Sequence, residues 1–84
     1  MTRLIYFAWV RERIGVAEEE ISLPEAVTDV AGLLTFLKGR GEGYESALVE
    51  PDVIRVALDR VHAEHDAPLE GVREIALFPP MTGG

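Results

Sequence analysis

The chain has 84 residues and no cysteine, and its 15 acidic and 8 basic side chains give a formal net charge of -7. This length allows one domain with a small core, so a self-contained enzyme with its own substrate cavity is not expected. The absence of cysteine excludes disulfides, thiolate metal sites and a cysteine nucleophile. The negative charge disfavours a nucleic-acid partner and favours a basic protein surface.

The longest apolar stretch, residues 4–10, is far shorter than the roughly 20 residues that a membrane span needs. The N-terminus lacks the order of charged segment, apolar core and cleavage site that marks a signal peptide. We therefore expect a cytoplasmic protein with no membrane partner.

The first predicted element is a strand over residues 4–10, which are rich in aromatic and β-branched side chains and apolar on both faces. Residues 11–15 are expected to turn the chain into a second strand over residues 18–23, and the short connection favours a hairpin. Glu18, Glu19 and Glu20 are interpreted as a solvated strand start. Alternation along the first strand places Ile5, Phe7 and Trp9 on one face, and Leu4, Tyr6, Ala8 and Val10 on the other.

A helix is predicted where Val30, Leu33, Leu34 and Leu37 recur at helical spacing, with Thr28 as N-cap and Gly39 at the C′ position. Residues 39–43 form a glycine-rich loop that follows a helix and lacks the Gly-Lys-Ser/Thr ending of a P-loop, which argues against phosphate binding. Residues 44–48 are expected to form one short helical turn.

Three further strands are predicted over residues 53–58, 61–63 and 74–78, the last ended by Pro79 and Pro80. Two strands, a helix and three strands indicate an α+β fold of the β-grasp type, with a mixed sheet of four to five strands packed on one main helix. The first and last strands are the most apolar, so we place them side by side in the middle. The domain is expected over residues 1–80, followed by a flexible tail over residues 81–84.

One helix covers one face of a sheet, so the second face, carrying Phe7 and joined by Phe78, is predicted to be an apolar partner surface. The His-Ala-Glu-His segment formed by His62 to His65 has residue types found in zinc sites. Two histidines three residues apart on a strand and turn do not converge as they would on a helix, and a zinc deaminase also needs a Pro-Cys-x-x-Cys segment. No metal site is expected.

The chain ends with Met81, Thr82, Gly83 and Gly84, directly after the two prolines. Two terminal glycines occur by chance in roughly 0.5% of chains, so the pair alone is a modest signal. A terminal carboxylate, with a pKa near 3.5, is ionised at neutral pH and can attack the α-phosphate of ATP bound by a partner. A sulfur donor can then displace AMP and leave a thiocarboxylate on Gly84.

Glycine suits such a terminus because it has no Cβ and threads a narrow channel. Pro79 and Pro80 stiffen the base of the tail. The five residues from Pro80 extend at most about 17 Å, which is enough to reach an active site inside another protein.

The segments Phe-Ala-Trp-Val-Arg-Glu-Arg-Ile-Gly at residues 7–15 and Phe-Pro-Pro-Met-Thr-Gly-Gly at residues 78–84 resemble the opening and closing motifs of the small subunit of molybdopterin synthase, the MoaD family. The resemblance covers essentially the whole chain. It implies a ubiquitin-like β-grasp whose catalytic partner is a large, MoaE-like subunit in a heterotetramer.

The resemblance also implies that Gly84 carries the glycyl adenylate and then the 1-thioglycine. A MoeB-like adenylyltransferase supplies ATP and releases AMP, a cysteine desulfurase or rhodanese-like protein supplies sulfur, and no cofactor is bound permanently. The large subunit then builds the dithiolene of molybdopterin from cyclic pyranopterin monophosphate.

For the partner interface, the resemblance points to Phe7, Phe78 and Arg11. His62 stands where an apolar contact with the large subunit is expected, and Asp59 where the family usually has asparagine.

Three alternatives remain from the sequence. A ThiS-type sulfur carrier for thiamine synthesis also ends in Gly-Gly, but it tends to be shorter and usually lacks the Phe-Pro-Pro ending. A ubiquitin-like modifier would be joined through Gly84 to lysines of target proteins. A plain interaction domain would leave the terminal glycines without a chemical role.

Overall fold

The computed structural model describes residues 1–80, which form one five-stranded sheet covered on one face by helices. The elements in chain order are β1 (Thr2–Tyr6), α1 (Ala8–Ile14), β2 (Glu18–Ile21), α2 (Val30–Lys38), α3 (Glu42–Ala47), a 3-10 turn (Pro51–Val53), β3 (Arg55–Leu58), β4 (Val61–Ala63) and β5 (Glu74–Phe78). The strand order is β2-β1-β5-β3-β4. β1 and β5 are parallel at the centre and the other pairs are antiparallel, which confirms the predicted β-grasp.

The core lies between the sheet and α2. Leu4 and Tyr6 of β1 and Ile75 and Leu77 of β5 alternate toward the helices and are buried. The apolar stripe of α2 packs over them, because its spacing places four buried side chains on one face: Val30, Leu33, Leu34 and Leu37.

Helix α2 begins one residue later than predicted. Asp29, not Thr28, is the N-cap: its Oδ1 accepts a hydrogen bond from the N–H of Gly32 at 2.8 Å. The carbonyl of Thr28 instead accepts from the N–H of Leu69 at 3.0 Å, which holds Thr28 in the segment before the helix. Gly39 does end α2, but with φ at -82° it does not adopt the left-handed conformation of a C′ glycine.

The predicted strand over residues 4–10 and turn over residues 11–15 are wrong beyond Tyr6, because residues 8–14 form α1. Ala8 has φ at 52° and turns the chain out of β1, after which Val10 is buried in the core. Gly15, with φ at 99°, ends the helix by donating its N–H to the carbonyl of Arg11 at 2.8 Å. β1 and β2 are therefore antiparallel but joined through a helix, not through a tight hairpin.

The other boundaries differ by smaller amounts. β2 ends at Ile21, and the short helix covers residues 42–47 instead of 44–48. The third strand begins at Arg55, because Val53 belongs to the 3-10 turn and Ile54 lies between the two elements. The glycine-rich loop opens α3 with Gly41 as its N-cap. Gly43 is explained by packing, because a Cβ there would lie 2.7 Å from the carbonyl oxygen of Arg13 in α1.

The turn between β3 and β4 anchors the start of β5. Asp59 and Arg60 both have positive φ, at 48° and 71°, as in the two-residue turn that matches the twist of a hairpin. Asp59 Oδ1 accepts hydrogen bonds from the N–H groups of Arg73 and Glu74 at 3.1 and 3.0 Å. Aspartate therefore supplies the side-chain acceptor in a position where the family resemblance leads us to expect asparagine.

The three glutamates at the start of β2 do not share one environment. Glu18 and Glu20 are exposed, as predicted, but Glu19 points toward the helices. Its Oε2 accepts hydrogen bonds from the hydroxyls of Tyr6 and Tyr44 at 2.7 and 2.6 Å, and its Oε1 lies 3.4 Å from Arg40 Nη1. This cluster connects β1, β2, α3 and the loop before α3.

The cluster changes the acidity of its members. Desolvation acts to raise the pKa of Glu19, but the hydrogen bonds from Tyr44 and Tyr6 and the charge of Arg40 outweigh it, so the pKa lies below its ordinary value of 4.5. Burial, followed by the hydrogen bond to Glu19, raises the pKa of Tyr6. The carboxylate is therefore ionised and both phenols are protonated donors at neutral pH.

In the described part of the chain, the helices are all too short to cross a bilayer, and α2 has nine residues.

We expect Glu19→Gln to destabilise the fold by about 1–3 kcal/mol at neutral pH, because the two tyrosines lose an ionised acceptor. The pKa of Glu19 is lower in the folded than in the unfolded state. The ionised Glu19 carboxylate therefore contributes fully to the free energy of unfolding above its unfolded-state pKa, and this contribution is lost as the pH falls through its folded-state pKa. The difference in the free energy of unfolding between wild type and Glu19→Gln should therefore decrease at acidic pH. Urea unfolding from neutral pH down to about pH 3 measures this.

The matched control is Glu20→Gln, which removes an exposed charge from the same strand and should change the free energy of unfolding little. A Glu19→Gln penalty that stays constant across the acidic range would contradict the cluster as described.

Candidate functional site

The candidate site is built where the central strand β5 ends. β5 lies between β1 and β3, ends at Phe78 and continues into Pro79 and Pro80, which are half-buried. The predicted tail and reactive residues Met81, Thr82, Gly83 and Gly84 lie outside the described residues. Their roles therefore stay predictions, and the structure describes the surface from which this segment leaves the domain.

Phe7 and Phe78 form an aromatic pair beside the base of the tail. Their ring centroids lie 6.3 Å apart at an interplanar angle of 80°, an edge-to-face arrangement, and Phe7 is 48% exposed. The N–H of Phe7 donates to the carbonyl of Leu77 at 3.0 Å, which extends the β1–β5 ladder by one residue. Because Ala8 then turns the chain, Phe7 remains beside Phe78. The role of the two rings in partner binding stays a prediction.

The sheet face turned away from α2, called the outer face here, carries a narrow apolar strip. Strand register aligns Ile5, Ala76 and Ala57 in one row across β1, β5 and β3, and all three are half-buried. Trp9, predicted for this face, is instead on α1, where it packs against the core with Arg13 stacked over its ring at 4.4 Å. The unpartnered apolar surface is therefore smaller than the sequence indicated.

The two predicted polar interface residues are both exposed and lie on different elements. Arg11 is exposed on α1, the helix that starts next to Phe7. His62 is exposed on β4, where it pairs with Ala57. The structure thus places Phe7, Phe78 and the tail base together. Whether Arg11 and His62 contact a partner stays a prediction.

A groove of about 460 Å³ lies beside the tail base on the β4 side. His65, which lines it, uses its ring Nε2 in a contact of 2.8 Å with the carbonyl oxygen of Ile54, and it therefore supports the loop that leads into β3. Within residues 1–80, the histidines and carboxylates do not form a group of three or more that fits a metal ion. The polar side chains of the groove are Asp52, Arg55, His62, Glu64 and His65, and Pro80 also lines it.

Arg55 was not among the predicted interface residues. It lies directly opposite Phe78 in the β3–β5 ladder and is exposed on the outer face. The alternation of buried Ile54 and Val56 around it was a signal that its side chain points away from the core.

This topology defines a ubiquitin-like β-grasp domain, and a segment with a Gly-Gly pair follows its central strand in the sequence. A model of the ThiS family matches residues 4–84. The chain belongs to the ThiS family.

Curated relatives align along the whole chain. The molybdopterin synthase sulfur carrier subunit of Mycosarcoma maydis is 34% identical over 88 residues, which cover 98% of this chain and 91% of the relative. The protein of the same name from Escherichia coli (strain K12) is 30% identical over 84 residues, with 100% of both chains covered.

Two solved structures are similar. The putative molybdopterin converting factor, subunit 1, from Pyrococcus furiosus gives a TM-score of 0.75 at 28% identity, over 95% of this chain and 97% of that one. SAMP1 from Haloferax volcanii gives a TM-score of 0.70 at 24% identity, over 99% of this chain and 98% of that one, and supports the fold alone.

Proposed function

We propose that this chain is the sulfur carrier subunit of a molybdopterin synthase. The observation that carries the proposal is the alignment, end to end, with relatives of that name, including one that matches over 100% of both chains. The structure supports it physically, because the central strand leads into Pro79 and Pro80 beside an aromatic pair whose Phe7 ring is exposed. The carrier would dock through that surface and insert its terminus into the partner.

The proposed chemistry begins at the terminal carboxylate. An oxygen of Gly84 attacks the α-phosphorus of ATP held by a MoeB-like adenylyltransferase, forming a C–O–P anhydride and breaking the bond to the β-phosphate, so that pyrophosphate leaves. A cysteine desulfurase or rhodanese-like donor then provides sulfur as a cysteine persulfide, and a thiol reductant releases it at the oxidation level of sulfide while forming a disulfide with the donor cysteine. This sulfur attacks the carbonyl carbon, a C–S bond forms, and AMP leaves with the anhydride oxygen.

The resulting thiocarboxylate is both a carrier and a nucleophile. A large, MoaE-like subunit would receive it in a pocket that holds cyclic pyranopterin monophosphate. After the sulfur has bonded to the substrate, water would attack the carbonyl carbon, break its bond to sulfur and return the chain as a carboxylate. In this division of labour the carrier contributes the docking surface, the reach of the tail and one reactive atom, and the catalytic groups belong to the partner. Two carriers at opposite ends of a dimer of large subunits would give a heterotetramer.

Tail length provides the first test. The reactive carbonyl must reach a fixed point from a docked domain, and a misplacement of even about 1 Å can cost about 100-fold in rate. We therefore expect deletion of Gly84, or addition of one residue after it, to abolish molybdopterin formation in a system reconstituted with the activating enzyme, sulfur donor and large subunit.

The matched control adds one residue before Met1, which is exposed at the start of β1, at the opposite end of the parallel β1–β5 pair. That variant should keep full activity, and all variants should unfold at the same urea concentration. Normal product formation by the C-terminally extended chain would refute the proposed role of the terminus.

The docking surface provides the second test. We expect Phe7→Ala to weaken binding of the large subunit at least about tenfold, because exposed aromatic side chains at the centre of an interface contribute most of its affinity. Val49→Ala is the matched control, since Val49 is 59% exposed after α3, and it should leave binding unchanged. Titration calorimetry measures both. Equal affinities for the two variants would show that the aromatic pair is not at the interface.

A further inference from the structure

Arg55 stands beside the aromatic pair on the surface that the proposed function assigns to partner docking. It is paired with Phe78 in the register of β3 and β5, and both side chains lie on the outer face. Directly opposite residues in an antiparallel pair have Cβ atoms about 4.5–5.5 Å apart. A partner surface that covers Phe78 therefore also covers Arg55.

Among the arginines of the described residues, three form ion pairs, and Arg55 is not one of them; Arg11, Arg13 and Arg73 also form none. Arg3, Arg40 and Arg60 form ion pairs with Glu18, Glu19 and Glu74, respectively. Within residues 1–80, Arg55 has no carboxylate inside ion-pair distance. Asp52 and Glu64 line the same groove but remain beyond 4 Å of its guanidinium.

This isolation has an energetic consequence for docking. A guanidinium keeps its proton under all ordinary conditions, so it cannot lower the cost of burial by becoming neutral. Burying a charge without a hydrogen-bonding partner of opposite charge is strongly unfavourable. A partner that covers Phe78 with a purely apolar surface would therefore bind this chain poorly.

His62 extends the polar character of this edge. It pairs with Ala57, two residues along β3 from Arg55, so it is a diagonal neighbour of Arg55 across the β3–β4 ladder. Both side chains line the groove that Pro80 also lines. His62 also occupies a position where the family resemblance leads us to expect an apolar contact. Because a polar side chain stands there instead, a polar partner surface fits this edge better than an apolar one.

We propose that the protein that receives the tail presents a carboxylate to Arg55, next to an apolar recess for Phe7 and Phe78. This inference rests on the proposed function and specifies the chemistry of the partner surface. The partner's acidic group supplies the acceptor that Arg55 lacks in the free chain, and it orients the chain so that the segment after Pro80 enters the partner. Charge complementarity at such a place sets specificity and association rate as well as affinity.

The test is the affinity of the purified chain for its large subunit, measured by calorimetry over a range of salt concentrations. Arg55→Leu distinguishes the two kinds of partner surface by the sign of its effect. Against a carboxylate, leucine should weaken binding by about tenfold or more and reduce the salt dependence. Against an apolar surface, leucine should tighten binding. Arg55→Gln, which keeps a polar side chain without the charge, should also weaken binding.

The matched control is Arg73→Leu, because Arg73 is exposed before the opposite end of β5 and its loss changes the net charge equally. Its affinity should stay within about twofold of wild type. If wild type binds the large subunit but Arg55→Leu binds equally well or more tightly, the carboxylate inference is overturned and the carrier function stands. Failure of the wild-type chain to bind the large subunit would overturn both.

Discussion

The parallel pairing of β1 with β5 is the constraint on which the rest of the structure depends. The two strands fill the centre of the sheet, where Leu4 and Tyr6 meet Ile75 and Leu77 beneath the leucines of α2. Because the strands are parallel, both end at the same edge of the sheet. The residue that follows β1 and the segment that follows β5 therefore emerge together, and a single docking surface can surround the base of the tail.

Hydrophobic periodicity predicted the elements in which buried and exposed side chains follow a regular pattern. β4, β5 and the leucine face of α2 follow the sequence, and so does the central position of the two most apolar strands. Residues 8–14 were mistaken for strand and turn because Val10 and its apolar neighbours fit a buried strand as well as a short helix. The change from strand to helix occurs at Ala8, which has a positive φ. Alanine does not favour that conformation, so the sequence did not indicate it. Gly15 was the available sign of a helix end.

The site was predictable in outline, and its polar details were not. The aromatic pair followed from two apolar residues on adjacent strands. Alternation in β2 puts Glu19 on the same face as buried Ile21, a signal that was overlooked when all three glutamates were interpreted as solvated. Its partners Tyr6 and Tyr44 are far from it along the chain and meet it only after folding. Arg55 was missed for a related reason: its importance comes from the strand opposite, through its register with Phe78.

The central claim is that the terminal carboxylate of Gly84 becomes a thiocarboxylate and gives up its sulfur. Intact mass spectrometry of the chain, taken before and after incubation with the large subunit and cyclic pyranopterin monophosphate, tests it directly. After treatment with the activating enzyme and sulfur donor, the mass should rise by the difference between sulfur and oxygen. It should then return to the carboxylate value as molybdopterin forms. A mass that never changes, or adducts joined to lysines of other proteins in place of the thiocarboxylate, would contradict the account.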